Sequence, residues 1–193
     1  WSAVAACVAA ITVAFLLISP ALWNGYPLLQ YDTGGYIARW YEGYLVPSRS
    51  TVFGYFLHLG EGTHFWINLK LQALATIWIM QAVLRVFAVA RPIQVVMIGV
   101  ALSVTTALPW LTSLLLTDIF AGLSVLSLFL LIVHGEKFAS FERAALFLFT
   151  AFAAATHSAT FAVLTGLCGV AWLAFRWCPG SIAFDGAFRG SLS

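Results

Sequence analysis

Three long stretches of this chain carry no charged side chain. They cover residues 1–31, 92–117 and 144–175. Each is at least as long as the roughly 20 apolar residues that a helix needs to cross a hydrocarbon core about 30 Å thick. Overall, 62% of the residues are hydrophobic and 8% are charged, whereas a soluble domain carries about 25% charged residues. The sequence therefore excludes a soluble globular domain and a disordered chain, and it predicts an integral membrane protein.

Hydropathy predicts an all-α fold, a polytopic transmembrane helix bundle of five or six spans. The bundle forms one domain over residues 1–193, and because the sequence begins with Trp1 rather than Met we expect it to belong to a longer chain. The apolar stretch from Ala144 to Trp177 is too long for one crossing, so we predict a break near His157. The predicted spans are residues 2–23, 64–87, 92–110, 117–133, 144–157 and 159–177, with a loop over 24–63.

Basic residues beside the spans predict the orientation. One predicted side carries five of them, Arg85, Arg91, Lys137, Arg143 and Arg176. The other side carries three, Arg39, Arg49 and Lys70. Because cytoplasmic loops are enriched in Lys and Arg, we expect a multi-pass protein of a bacterial inner membrane with its first loop on the non-cytoplasmic face. The basic residues form no cluster of the kind that binds nucleic acid, so we expect no nucleic-acid partner.

The first loop contains two segments that are predicted to be juxtamembrane helices. Aromatic and apolar residues from Tyr36 to Tyr44 recur at helical spacing and form one apolar face. Residues 51–59 are almost wholly apolar but too short to span a bilayer, which is typical of a helix lying at the membrane surface. Two such helices would roof a cavity that opens towards the membrane lipid.

Asp32 is the first charged residue of the chain and the candidate catalytic residue. It stands in the segment Tyr31-Asp32-Thr33-Gly34-Gly35-Tyr36. A carboxylate in this position could act as a general base or hold a divalent metal ion. The alternative is structural, because either Asp32 or Thr33 could cap the helix that follows. His58, Glu61 and His64 lie close together in sequence, but their spacing matches no standard helical metal-ligand pair.

Four further side chains are candidates for substrate binding. Arg39 and Arg49 flank the predicted cavity, where a guanidinium can hold a phosphate through two hydrogen bonds or contact lipid headgroups. Asp118 either marks a functional site within an apolar segment or begins a helix and complements its dipole. His157 is the one ionisable side chain between Ala144 and Phe175 other than a cysteine, and is either a ligand or a packed, hydrogen-bonded residue.

The segments Asn24-Gly25-Tyr26-Pro27 and Tyr31–Tyr36, followed by an arginine and a short aromatic stretch, resemble the start of a known superfamily. It comprises the polytopic C-type glycosyltransferases that use polyprenyl-phosphate sugars. The resemblance implies an active site in the first non-cytoplasmic loop, with Asp32 as the catalytic carboxylate. The segment from Pro109 to Asp118 is similar to the later one in which these enzymes place a second acidic residue.

Such enzymes have eight or more spans, so the chain is either the N-terminal part of a larger enzyme or a relative that has lost catalysis. The first expectation is transfer of a sugar from a polyprenyl-phosphate donor at the non-cytoplasmic face. The alternative is a non-catalytic membrane subunit that packs against a larger complex. Small residues at every fourth position, which predict a packing face on one helix, favour this alternative: Thr150, Ala154, Ser158, Ala162 and Gly166.

Overall fold

The computed structural model of the chain describes residues 2–177; residue 1 and residues 178–193 of the predicted domain lie outside this part. The described residues form helices and connections, and their only β-type pairing is the isolated bridge between Leu28 and Leu114. The all-α prediction is confirmed for them. The α-helices are α1 (Ala3–Leu17), α2 (Ser19–Asn24), α3 (Tyr31–Tyr41), α4 (Thr51–His58), α5 (Trp66–Val86), α6 (Pro92–Thr105), α7 (Leu108–Ser113), α8 (Asp118–His134), α9 (Ser140–Thr156) and α10 (Ser158–Trp177).

Within residues 2–177, three helical segments are long and apolar enough to cross a membrane. They are Trp66–Val86, Asp118–Lys137 and Ser158–Trp177. Helices α1 and α6 are apolar but shorter, because the structure divides both of the spans predicted there. The described residues thus contain three helices of sufficient length, and five or six spans remain a prediction.

Prolines cause both divisions. The predicted span 2–23 separates into α1 and α2 at Ile18, because Pro20 has no N–H to continue the helical ladder. The Leu16 carbonyl, which that N–H would have reached, accepts a hydrogen bond from Ser19 Oγ at 2.8 Å instead. The predicted span 92–110 ends at Thr105, since Thr106 is extended and Pro109 lies in the first turn of α7.

The chain divides after Phe120 into two compact units. In the first unit, α1 packs against α5 and α6 around a buried apolar core. The core side chains are Val13 and Leu17 from α1, Ile77 and Leu84 from α5, and Val95 from α6.

Backbone and hydroxyl hydrogen bonds attach the first loop to the segment after α7. Leu28 N–H donates to the Ser113 carbonyl at 2.9 Å, and Leu115 N–H donates to the Leu28 carbonyl at 3.0 Å. Thr33 Oγ1, buried in α3, donates to the Leu115 carbonyl at 3.0 Å. The start of α3 is therefore fixed beside the segment that leads into α8.

A buried glutamine completes this junction. Gln72, which is fully buried on α5, donates through Nε2 to the carbonyls of Thr112 and Leu114 at 3.1 and 3.0 Å. Carbonyls at a helix C-terminus have no partner within the helix, so a buried helix end needs such a donor. Gln72 thus stabilises the end of α7 on which the first loop rests.

The second unit contains α8 from Ala121 onward, together with α9 and α10. Ser127 Oγ on α8 donates to the Leu146 carbonyl of α9 at 3.0 Å, and both residues are buried. Helices α9 and α10 meet at His157, which is extended with φ −155° and ψ 130°. The sequence predicts a break in this apolar stretch at the same position.

The break overturns one prediction. A continuous face of small residues requires a single helix, but Thr150 and Ala154 belong to α9 whereas Ser158, Ala162 and Gly166 belong to α10. The three residues on α10 are exposed. The described residues therefore contain a shorter row of small side chains on α10 that faces outward.

Candidate active site

The start of α3 is fixed by a reciprocal cap between Gln30 and Thr33. Gln30 N–H donates to Thr33 Oγ1 at 3.1 Å, and Thr33 N–H donates to the Gln30 carbonyl at 2.9 Å. Of the two capping candidates, Thr33 takes this role. Asp32 lies in the same first turn, where a carboxylate complements the positive end of the helix dipole. Its side chain remains available for another partner.

That partner is Arg49, which a tight turn positions. Arg49 N–H donates to the Val46 carbonyl at 3.2 Å, and between them stand Pro47 and Ser48, whose φ is +66°. Proline followed by a residue of positive φ is the pattern of a type II turn. Arg49 Nη2 then forms an ion pair with Asp32 Oδ1, and the two side chains are 25% and 44% exposed.

Arg49 also lies over an aromatic ring. Its Cζ is 5.6 Å from the ring centroid of Tyr36, which is itself buried edge-to-face against Phe53 at 4.8 Å. A guanidinium has five N–H donors, and the contact with Asp32 uses one of them. The stacked ring and the carboxylate hold the group in place while it retains donors for an anionic ligand.

The ion pair lines a cleft with a volume of about 360 Å³, which is open on one side. This volume lies within the range of small-molecule sites. The cleft is lined by residues from α3 and from the connection to α4: Tyr31, Asp32, Gly34, Gly35, Ala38, Glu42, Tyr44, Val46 and Arg49. The cleft is therefore built entirely from the first loop, and it has both polar and apolar lining residues.

Two residues of the cleft, Glu42 and Tyr44, are missed by the sequence reasoning. The aromatic spacing places Tyr44 on the helix, but α3 ends at Tyr41 and Gly43 adopts a φ of +74°. A hydrogen bond with the Glu42 carboxylate raises the pKa of the Tyr44 phenol above its ordinary value. The signal that could have identified them is Gly43, because glycine at positive φ commonly ends a helix and reverses the chain.

Close packing of α3 on α4 supports the cleft. A Cβ added to Gly54 on α4 would lie 2.7 Å from the Tyr36 carbonyl oxygen and 3.0 Å from the Trp40 ring. Arg39 faces this packed side, with its Cζ 5.6 Å from the Tyr55 ring centroid and 5.9 Å from that of Trp40. Of the two arginines predicted to bind substrate, Arg49 lines the cleft. Arg39 instead lines a much smaller pocket of about 10 Å³ together with Arg49.

The other two predicted binding residues lie elsewhere. Asp118 is the exposed first residue of α8, where its carboxylate complements the helix dipole. It follows Leu115, whose carbonyl accepts the hydrogen bond from Thr33, by three residues. His157 is half-buried and belongs to the second unit. All residues that line the cleft belong to the first unit.

Outside the set of residues that line the cleft, Glu61 contacts two other side chains of the first loop. Tyr41 Oη donates to Glu61 Oε1 at 2.8 Å, and His58 Nδ1 lies 2.8 Å from Glu61 Oε2. The hydrogen bond to Glu61 raises the pKa of the Tyr41 phenol. In the described part of the chain, no three His, Cys, Asp or Glu side chains converge, so those side chains do not form a metal site of three or more such ligands.

Comparison with protein-family models, curated proteins and solved structures finds no match to this chain. The cleft itself is therefore the main guide to function. Its features are the Asp32 carboxylate, an arginine that uses one N–H on that carboxylate, and tyrosines, all from α3 and the connection to α4.

Proposed function

We propose that the chain is a multi-pass membrane protein that transfers a sugar from a polyprenyl-phosphate donor, with Asp32 and Arg49 at the reacting centre. The observation that carries the proposal is the ion pair between these side chains on the wall of the open cleft of about 360 Å³. In this proposal the first loop lies on the non-cytoplasmic face of the membrane. The resemblance of the segment around Asp32 to C-type glycosyltransferases supports the same reaction class.

The two groups suit the two halves of a displacement at the anomeric carbon. The bond from the acceptor oxygen to that carbon forms while the bond from the carbon to the phosphate oxygen breaks. Asp32 takes the proton of the acceptor hydroxyl, and the electron pair of the broken bond leaves with polyprenyl phosphate. Arg49 stabilises the negative charge on the departing phosphate through the N–H groups that Asp32 does not use.

The surroundings of the cleft suit a donor that arrives from the bilayer. Exposed apolar side chains border it or lie on the neighbouring helix, including Tyr31, Leu45, Val52 and Tyr55. Aromatic residues at a membrane surface sit at the headgroup level. A lipid-linked phosphate would therefore reach Arg49 while its polyprenyl chain stays in the hydrocarbon.

The test is sugar transfer in proteoliposomes supplied with a total membrane lipid extract that contains both donors and acceptors. Asp32→Asn keeps the size of the side chain but removes the base, and we expect transfer to fall by about 10²- to 10⁴-fold. Arg49→Gln should reduce transfer as well. Glu136→Gln is the matched control, because Glu136 is an exposed carboxylate of the second unit. Transfer by Asp32→Asn at the wild-type rate would refute the assignment.

A second candidate is a non-catalytic subunit of a larger membrane complex. The observation that favours it is the outward-facing row of Ser158, Ala162 and Gly166 on α10, since small residues allow membrane helices to approach closely. Ala162→Leu should then release subunits that copurify with the chain, while Asp32→Asn should not. Copurification that is unaffected by Ala162→Leu would exclude this role for α10.

A further inference from the structure

The second unit contains an apolar groove that sugar transfer does not use. It has a volume of about 330 Å³ and is lined by eight residues of α8, α9 and α10, among them Leu128, Ile132, Phe147, Cys168, Trp172 and Phe175. None of the eight lining side chains carries a formal charge. Such a groove is suited to a hydrocarbon ligand.

Helix geometry explains why these side chains meet. Phe147 precedes the break at His157 by ten residues and Cys168 follows it by eleven. Both line the groove, so α9 and α10 return alongside each other as an antiparallel pair. The bond from Ser127 to the Leu146 carbonyl holds α8 beside α9 at the same level.

One end of the groove is basic. Arg176 directly follows the lining residue Phe175, and Arg143 lies four residues, about one helical turn, before Phe147. Lys137 follows Ile132 by five residues. Two acidic residues share this end, but Glu142 accepts a hydrogen bond from Ala139 N–H at 3.3 Å and serves as part of a helix cap. The other acidic residue there is Glu136, so three basic and two acidic side chains give this end a net charge of +1.

We propose that this groove binds one acyl chain of an anionic glycerophospholipid, whose phosphate contacts Arg176. An apolar slot that ends in basic side chains matches both parts of such a lipid, since arginine and lysine near a membrane surface attract anionic headgroups. The site is distinct from the cleft at Asp32, because its lining residues all belong to the second unit. It goes beyond sugar transfer and does not require it.

Native mass spectrometry of the purified chain from nanodiscs tests the proposal. We expect the protein to retain phosphatidylglycerol in preference to phosphatidylcholine at equal mole fraction. Arg176→Gln should reduce phosphatidylglycerol retention about fivefold, the equivalent of about 1 kcal/mol for one basic side chain near the membrane surface. Lys70→Gln, an exposed basic residue on α5, is the matched control and should retain the lipid as the wild type does.

A second variant tests the groove itself. Ala171 lines the groove on α10, so Ala171→Phe should fill it and abolish retention of both lipids. Val170→Phe places the same ring on the exposed neighbouring position and should leave retention unchanged. Peptide-level maleimide labelling adds a readout in the folded protein, since a bound acyl chain should protect Cys168 while the exposed Cys7 stays reactive.

Several outcomes would overturn the proposal. They are equal retention of both lipids, selective retention of polyprenyl phosphate at this groove, and a lipid-free dimer in which Cys168 is protected by a second copy. Loss of sugar transfer in Asp32→Asn with phosphatidylglycerol retention unchanged would show that the two sites are independent. Absence of sugar transfer in the wild-type protein would refute the proposed function and leave the lipid site standing.

Discussion

Replacing Gly54 by alanine should separate α3 from α4 and so disturb the cleft. The added Cβ would lie 2.7 Å from the backbone carbonyl oxygen of Tyr36, which cannot rotate away as a side chain could, and 3.0 Å from the Trp40 ring. Overpacking of this kind costs about 1–3 kcal/mol. Alanine is favoured over glycine in a helix by about 1 kcal/mol, which offsets part of that cost. We expect a net loss of up to about 2 kcal/mol, from these two magnitudes.

Gly34→Ala provides the matched control on α3. A Cβ at Gly34 meets nothing within 4 Å, so this variant should be stabilised by about 0.5–1 kcal/mol through the reduced entropy of the unfolded chain. Thermal unfolding in detergent measures both variants, and hydrogen exchange locates the change. We expect Gly54→Ala to unfold below the wild type and to exchange faster in residues 31–58. A Gly54→Ala protein that unfolds above the wild-type temperature, as Gly34→Ala should, would refute the close packing of the two helices.

Two further predictions concern polar contacts of the first unit. Gln72→Leu removes the donor from the buried Thr112 carbonyl and the part-buried Leu114 carbonyl, and it should destabilise the protein by about 1–3 kcal/mol. Gln81→Leu on the same helix should have a smaller effect in the same unfolding assay, and equal effects would contradict the role of Gln72. The pKa of Tyr41 lies above its ordinary value of 10.0 because the neutral phenol donates to Glu61. The hydrogen bond between Tyr41 and Glu61 is therefore present at a pH below the ordinary pKa of tyrosine, and it is lost as the pH rises through the raised pKa of Tyr41. Ultraviolet titration of tyrosinate, with Tyr41→Phe as the reference, should show a lower Tyr41 pKa in Glu61→Gln, and an unchanged pKa would contradict the contact.

Much of the helical class was predictable because composition and period leave few alternatives for a chain this apolar. The lengths of the helices were less predictable. Pro20 and Pro109 are visible in the sequence. Whether a proline kinks a helix or ends it depends on which donor forms a hydrogen bond with the carbonyl that the proline leaves without an N–H partner. In α1 that donor is the Ser19 hydroxyl, and the result is a division at Ile18.

The candidate site depends on contacts between residues that are distant in sequence, which local patterns do not predict. Asp32 can be recognised as a candidate because it is the first charged residue after a long apolar stretch. Its partner, Arg49, lies 17 residues further along the chain. The pairing depends on the turn at Pro47 and Ser48, and on α3 ending before Tyr44. Arg39 lies among apolar and aromatic residues and Arg49 lies between two serines, yet the sequence predicts substrate binding for both. The structure places Arg49 on the cleft of about 360 Å³ and Arg39 over aromatic rings of α3 and α4.

Retention of polyprenyl phosphate by the purified protein tests the central claim most directly. Native mass spectrometry would compare polyprenyl phosphate with the uncharged polyprenol, using wild type and Arg49→Gln. The account predicts that the wild type retains the phosphate form, and that Arg49→Gln loses this preference while it still unfolds cooperatively. A wild-type protein that binds neither compound, or both equally, would contradict a lipid-linked phosphate site beside Asp32.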